Sequence, residues 1–164
     1  DTWRKSIEIN LTSVFHLSQG MLKLLKNSDK PSIVNISSIY GILAPDMQLY
    51  KGTNINNPAG YSVSKAGIIQ LTKQMAIEFA EFNILVNSIS PGPVNTDLTK
   101  NSEEAFNNYI ARIPLGKFVE KSSISSAAVF LTSKECDFIT GHTLNIDGGF
   151  LAGGINFPKN DLKN

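Results

Sequence analysis

Tyr61 and Lys65 stand four positions apart, a spacing that puts both side chains on one face of a helix, one turn from each other. A phenol ordinarily keeps its proton to near pH 10, but an ammonium beside it favours the phenolate and makes the hydroxyl a usable acid or base near neutrality. Carbonyl reduction needs such a group, because a proton must reach oxygen as hydride reaches carbon. By itself the pair is more often just the solvated surface of a helix, where Tyr and Lys at this spacing are common. Ser37 and Ser38 add to it. They directly follow Ser32-Ile33-Val34-Asn35-Ile36, an apolar, β-branched run of the kind buried in a parallel sheet. Two serines at that point stand at the carboxyl edge of the sheet, where open α/β folds hold their ligands. A hydroxyl there can hydrogen-bond a substrate oxygen and stabilise charge developing on it; its structural alternative is a turn or helix cap.

The elements that must position these groups are legible in the periodicity. From Trp3 to about Leu25, Trp3, Ile7, Leu11, Val14, Phe15, Ser18 and Leu22 recur at three- and four-residue steps, predicting one long amphipathic helix. A second helix is predicted from Ala59 to about Phe82, with Ile68, Leu71, Met75 and Phe79 along a stripe that belongs to core or interface. Ile84 to Ile89 repeats the buried-strand pattern, and Thr143 to Asp147 is a last strand before the turn Gly148-Gly149. Between Gly41 and Gly60 the chain is too rich in Pro, Gly and Asn for a regular element and long enough for a functional loop. Asn101 with Glu104 reads as a capping box for a helix to about Arg112, and Ser123 to Thr132 as a further helix. Strands alternating with long helices predict an α/β fold with a parallel, doubly wound sheet over residues 1–150, followed by a tail at 151–164.

Composition narrows the partners. With 164 residues, 41% hydrophobic and 18% charged, the chain can bury the core of one domain. A net charge of +1 without a long basic cluster argues against nucleic acid. The single Cys136 and the distant His16 and His142 offer no disulfide and no metal-ligand spacing, so no metal is expected and a reducing, cytoplasmic setting fits. No apolar run is long enough for a membrane span. The start Asp1-Thr2-Trp3-Arg4, with a helical pattern already running, reads as an internal cut in a longer protein.

Five segments taken in order carry a resemblance: Ile9-Asn10-Leu11-Thr12-Ser13-Val14-Phe15, Ile33 to Ser38, Tyr61-Ser62-Val63-Ser64-Lys65-Ala66, Val86 to Thr96 through Pro91-Gly92-Pro93-Val94, and Gly141 to Gly149. Together they resemble the carboxyl-terminal half of the short-chain dehydrogenase/reductase family, over essentially residues 1 to 150. The resemblance implies a three-layer Rossmann-like sheet and an oxidoreductase that uses NAD or NADP on a small-molecule ketone or alcohol. It implies a catalytic tetrad in which Tyr61 is the acid/base and Ser38 positions the substrate oxygen, with Ser37 as the fallback. Lys65 would favour the Tyr61 phenolate and hold the nicotinamide ribose. Asn10 would kink the first helix and hold a water of the proton relay. Pro91, Gly92 and Val94 would lie against the nicotinamide, with the Val94 backbone and the Thr96 hydroxyl on its carboxamide. A homodimer or homotetramer through the two long helices is implied as well.

Two departures bear on function. The glycine-rich turn that cradles the pyrophosphate in the family is not in this sequence, so the chain alone is expected to be inactive. The stretch between Ser38 and Tyr61 is longer than is usual, through a polar insertion around Met47 to Asn57. That insertion should shape specificity and counts against a plain 3-oxoacyl carrier-protein reductase. The resemblance extends to bacterial reductases of surface-sugar or flagellin modification, and Thr53, Asn54, Asn56 and Asn57 would suit a sugar-type, polyhydroxylated substrate. Two alternatives stay open: a sugar-nucleotide epimerase or dehydratase sharing the Tyr and Lys pair, and a nucleotide-binding regulator that keeps the fold without chemistry.

Overall fold

The computed structural model describes residues 1–50, 56–94 and 103–153. Thr53 and Asn54 of the insertion, Thr96, the capping pattern that begins at Asn101 and the tail beyond residue 153 lie outside the described residues.

The three strands β1 (Ser32–Ile36), β2 (Leu85–Pro91) and β3 (Thr143–Ile146) form a parallel sheet in the order β1-β2-β3. Residues of β2 from Val86 to Ser90 are all buried, as expected of a central strand covered on both faces. Alternation sends Ile33 and Val86 to one face, where they pack with Met75, Ala76, Phe79 and Ile84. Val34, Ile89, Leu144 and Ile146 go to the other, against Ala127, Leu131 and Cys136. Helices α2 (Ser13–Leu25) and α3 (Ala59–Glu78) cover the first face, and α5 (Lys121–Thr132) covers the second. This is the three-layer, doubly wound arrangement that the alternating pattern predicts. Helix α4 (Glu103–Arg112) packs instead against the segment around Tyr50.

Two expectations need correction. The predicted single helix from Trp3 to Leu25 is α1 (Thr2–Ile7) and α2 joined by a π-helical turn at Glu8–Thr12. The wider turn carries Asn10, whose amide Nδ2 donates to Ser64 Oγ of α3 at 3.2 Å; apolar periodicity does not register one wide turn. Between Gly41 and Gly60 the chain is not irregular throughout. A 3₁₀ turn at Met47–Tyr50 buries Leu49 and Tyr50 against Tyr109 and Phe118. Those two apolar residues inside a polar stretch anchor the insertion, and tertiary burial outweighs its loop-like composition.

Candidate active site

The carboxyl ends of β1 and β2 converge on the start of α3, and a small set of contacts locks them. Beyond Ile36 the ladder continues one step, with Ser37 N–H donating to the Ile89 carbonyl at 2.8 Å. Ser37 Oγ then donates to the Lys65 carbonyl at 2.8 Å, while Lys65 Nζ donates to the Ile36 carbonyl at 2.8 Å. The two residues thus hold strand end and helix to each other reciprocally. Ser38, in extended backbone, caps the 3₁₀ turn Ile39–Gly41 by accepting from Tyr40 N–H at 3.1 Å. That turn sits directly on α3: a Cβ on Gly41 would lie 2.7 Å from the backbone carbon and oxygen of Lys65.

Of the two serines, Ser37 spends its hydroxyl hydrogen on the Lys65 carbonyl. Ser38 uses its oxygen as an acceptor, which leaves its hydrogen to donate. Tyr61 lies in the first turn of α3, its N–H on the Pro58 carbonyl at 2.9 Å. Lys65 Nζ stands 5.8 Å from the centre of the Tyr61 ring. Burial holds the Lys65 ammonium below the ordinary lysine range, because a partly desolvated cation is disfavoured.

Ser38, Tyr61, Lys65, Pro91, Gly92 and Val94 all line one cavity of about 540 Å³. Gly92 approaches β3 so closely that a Cβ there would lie 2.7 Å from Asp147 Cα, and its N–H donates to the Ile146 carbonyl at 2.9 Å. The next peptide is tied to the chain before α5, with Val119 N–H donating to the Pro93 carbonyl at 2.8 Å. Asp147 fixes the turn that leaves β3 by accepting from Gly149 N–H and Leu151 N–H, each at 2.9 Å, and Gly148 and Gly149 take positive φ of 64° and 88°. Asn10 does not line the cavity. It lies in a neighbouring groove shared with Lys65, and reaches α3 through Ser64, whose Oγ donates to the Tyr61 carbonyl at 2.7 Å.

Beyond Tyr61, sequence reasoning did not single out the cavity's aromatic hydroxyls. Tyr40, Tyr50 and Tyr109 line it, and their hydroxyls meet at 2.8 Å (Tyr40 to Tyr109), 3.0 Å (Tyr50 to Tyr40) and 2.7 Å (Tyr50 to Tyr109). Asn56 and Asn57, singled out from the insertion, line it too. Among the described residues no group of His, Cys, Asp and Glu could hold a metal ion. No helix among them is long and apolar enough to cross a membrane.

A family model described as enoyl-(acyl carrier protein) reductase matches residues 1–151. The 3-oxoacyl-acyl-carrier-protein reductase FabG of Vibrio cholerae is 35% identical over 150 residues, which are 91% of this chain and 57% of that protein. A short chain dehydrogenase from Leptospira borgpetersenii, solved with bound NAD+, superposes with a TM-score of 0.82 at 38% identity over 90% of this chain and 56% of that one. A 4-hydroxyisoleucine dehydrogenase complexed with NADH also superposes with a TM-score of 0.82, at 36% identity over 93% of this chain and 60% of that one. The chain therefore spans little more than half the length of these proteins.

Proposed function

Because this chain belongs to the short-chain dehydrogenase/reductase family, we propose that it is the carboxyl-terminal, catalytic part of an NAD- or NADP-dependent oxidoreductase acting on a carbonyl or secondary alcohol. The observation that carries this reading is the convergence of Ser38, Tyr61, Lys65 and the Pro91-Gly92-Pro93-Val94 segment on one cavity. These groups come from separate stretches of chain, and a solvated helix surface or a simple turn would not gather them.

The residues present fit a nicotinamide cofactor. Lys65 Nζ spends one of its three hydrogens on the Ile36 carbonyl, leaving donors for ribose hydroxyls. Pro91, Gly92 and Val94 wall the same cavity, and Val94 with Thr96 would take the carboxamide. When bound, the cofactor supplies or accepts the hydride. In the reducing direction the Tyr61 hydroxyl gives its proton to the substrate oxygen, and Ser38 donates a hydrogen bond to that oxygen as charge grows on it. The Lys65 ammonium then faces the phenolate left on Tyr61. In the oxidising direction the same groups run in reverse. Asn10 completes the tetrad from the neighbouring groove that it shares with Lys65.

Asn56 and Asn57 on the cavity wall support a polyhydroxylated, sugar-type substrate. Exposed Trp3 and Phe15 on α1 and α2, with exposed Val63 and Ile77 on α3, support a homodimer or homotetramer built on the two long helical stretches. The buried free thiol of Cys136 fits a cytoplasmic setting.

The test is turnover by the full-length protein on a panel of sugar-type and acyl-type ketones and alcohols, beside Tyr61→Phe. Turnover should fall at least about 10²-fold while nicotinamide binding persists. Undiminished turnover would remove Tyr61 from the chemistry.

A further inference from the structure

Helix α4 brings Tyr109 to the wall of the cavity that holds Tyr61. At 10 residues it is shorter than the roughly 12–15 that even a favourable sequence needs to hold a helix in water. Asn107 and Asn108 in its middle are weak helix formers, so packing must supply what propensity does not. Phe106, Tyr109 and Ile110 recur at three- and four-residue steps, and all three belong to one cluster with Leu49, Tyr50 and Phe118. Among the described elements, α4 packs chiefly against the Met47–Tyr50 turn.

Asp46 ties that turn to the end of the helix. Its Oδ1 accepts from Gln48 N–H at 2.8 Å and its carbonyl accepts from Leu49 N–H at 3.1 Å, so the residue shapes the turn that presents Leu49. Its other carboxylate oxygen, Oδ2, pairs with Arg112 Nη1 in the last turn of α4. In the middle of the helix Asn108 Nδ2 donates to the Leu49 carbonyl at 3.4 Å. Leu49 is 1% exposed and is absent from the described residues that line the cavity. Its side chain can act on a substrate only through what it holds.

We propose that the Met47–Tyr50 turn is the seat on which α4 folds, with Leu49 and Asp46 as positioning residues that set Tyr109 in the cavity wall before substrate arrives. The inference rests on the reading of this cavity as the place of reaction and says how the insertion selects substrate: through the helix it holds. A substrate meeting an unseated α4 would have to order it, and apparent affinity would fall in proportion to the fraction of molecules with the helix in place. Once the helix was ordered, the chemistry at Tyr61 would proceed unchanged.

Hydrogen exchange over residues 103–112, read by mass spectrometry on the full-length protein without substrate, tests the seat. The parent should protect this stretch. Leu49→Ala should speed its exchange at least about tenfold, because the cavity left in so small a cluster removes much of the packing, while exchange in β2 stays as in the parent. With the ketone of the panel that turns over fastest, Leu49→Ala should raise KM about tenfold at unchanged kcat and unchanged cofactor KM. Leu49→Met, which keeps the volume, should return exchange and KM to within about twofold of the parent. A merely structural loss would instead lower kcat with the active fraction and leave KM alone. Asp46→Asn keeps the acceptor for Gln48 N–H and loses the charge facing Arg112; it should shift exchange and KM the same way by about twofold to fivefold and serves if Leu49→Ala does not fold. Free exchange over residues 103–112 in the parent, exchange there unmoved in the variants, faster exchange with KM unmoved, or lower kcat at unchanged KM would each overturn the proposal. Turnover that still depends on Tyr61 beside such a result would leave the proposed reaction standing. Turnover independent of Tyr61 would remove the reaction, and exchange, which needs no turnover, would still decide the seat.

Discussion

The ammonium of Lys65 lies 5.8 Å from the centre of the Tyr61 ring and is tied on its other side to the Ile36 carbonyl at 2.8 Å. Strand β1 therefore sets how far the cation stands from the phenol. The helix fixes the two Cα positions, and the strand end fixes the charge. A lysine free to extend into solvent would do neither, so the strand contact is what makes a four-residue spacing into a site.

Partial burial of that ammonium has a consequence for stability. Burial puts the folded-state pKa of Lys65 below its ordinary 10.5, so between the two values the unfolded chain binds more protons. Stability of the cofactor-free protein should then rise with pH through that window, and the full penalty should be present below it. In Lys65→Met this rise should be missing, so the variant's stability relative to the parent should decline as pH climbs through the window below the ordinary 10.5. Urea midpoints of both proteins across that range measure it. A relative stability that climbs with pH would contradict the burial of the charge.

A buried amide behind the site makes a second case. Asn35 Nδ2 donates to Thr72 Oγ1 at 2.9 Å, joining β1 to α3, and Thr72 Oγ1 donates to the Ile68 carbonyl at 2.8 Å. Asn35 is 6% exposed and Thr72 is fully buried, so water cannot replace a lost partner. Thr72→Val keeps the shape and strands the amide, which should cost about 1–3 kcal/mol. Asn35→Leu/Thr72→Val removes both polar groups and should cost less than the sum of the single changes, a coupling of about 1 kcal/mol. Denaturant unfolding of the four proteins gives the cycle. Strict additivity would mean that the bond contributes nothing.

The sequence makes much of this frame legible because its signals are local. The β-branched run before Ser37 marks β1, and the Tyr61 and Lys65 spacing marks the first turns of α3. Both depend on neighbours a few positions away. In the sequence Ser38 is separable from Ser37 only by resemblance; what distinguishes them physically is that Ser37 bonds the Lys65 carbonyl, 28 positions on. The tyrosine triangle is invisible there for the same reason. Tyr40 and Tyr109 are 69 positions apart, and no periodicity links a turn, an insertion and a helix. The one available signal is Leu49-Tyr50, an apolar pair in a polar stretch that folds back into a core.

Two glycines separate close packing from backbone freedom. At Gly41 a Cβ would lie 2.7 Å from the Lys65 backbone carbon and oxygen and 2.9 Å from Ala66 N, whereas at Gly20, within α2, nothing lies within 4 Å. Backbone atoms of a packed helix cannot swing aside as a side chain could. Gly41→Ala must therefore push the turn after Ser38 away from α3, at a cost of about 1–3 kcal/mol. It should also lower turnover, since that movement parts Ser38 from Tyr61. Gly20→Ala should do the reverse for stability, raising it by about 0.5–1 kcal/mol because a helical glycine gives up the most conformational freedom on folding, and turnover should not change. Thermal unfolding and steady-state rates of the two variants decide the matter. A Gly41→Ala protein as stable and as active as its parent would mean that the turn and the helix are not in contact at Lys65, and the reciprocal hold of Ser37 and Lys65 would lose its support.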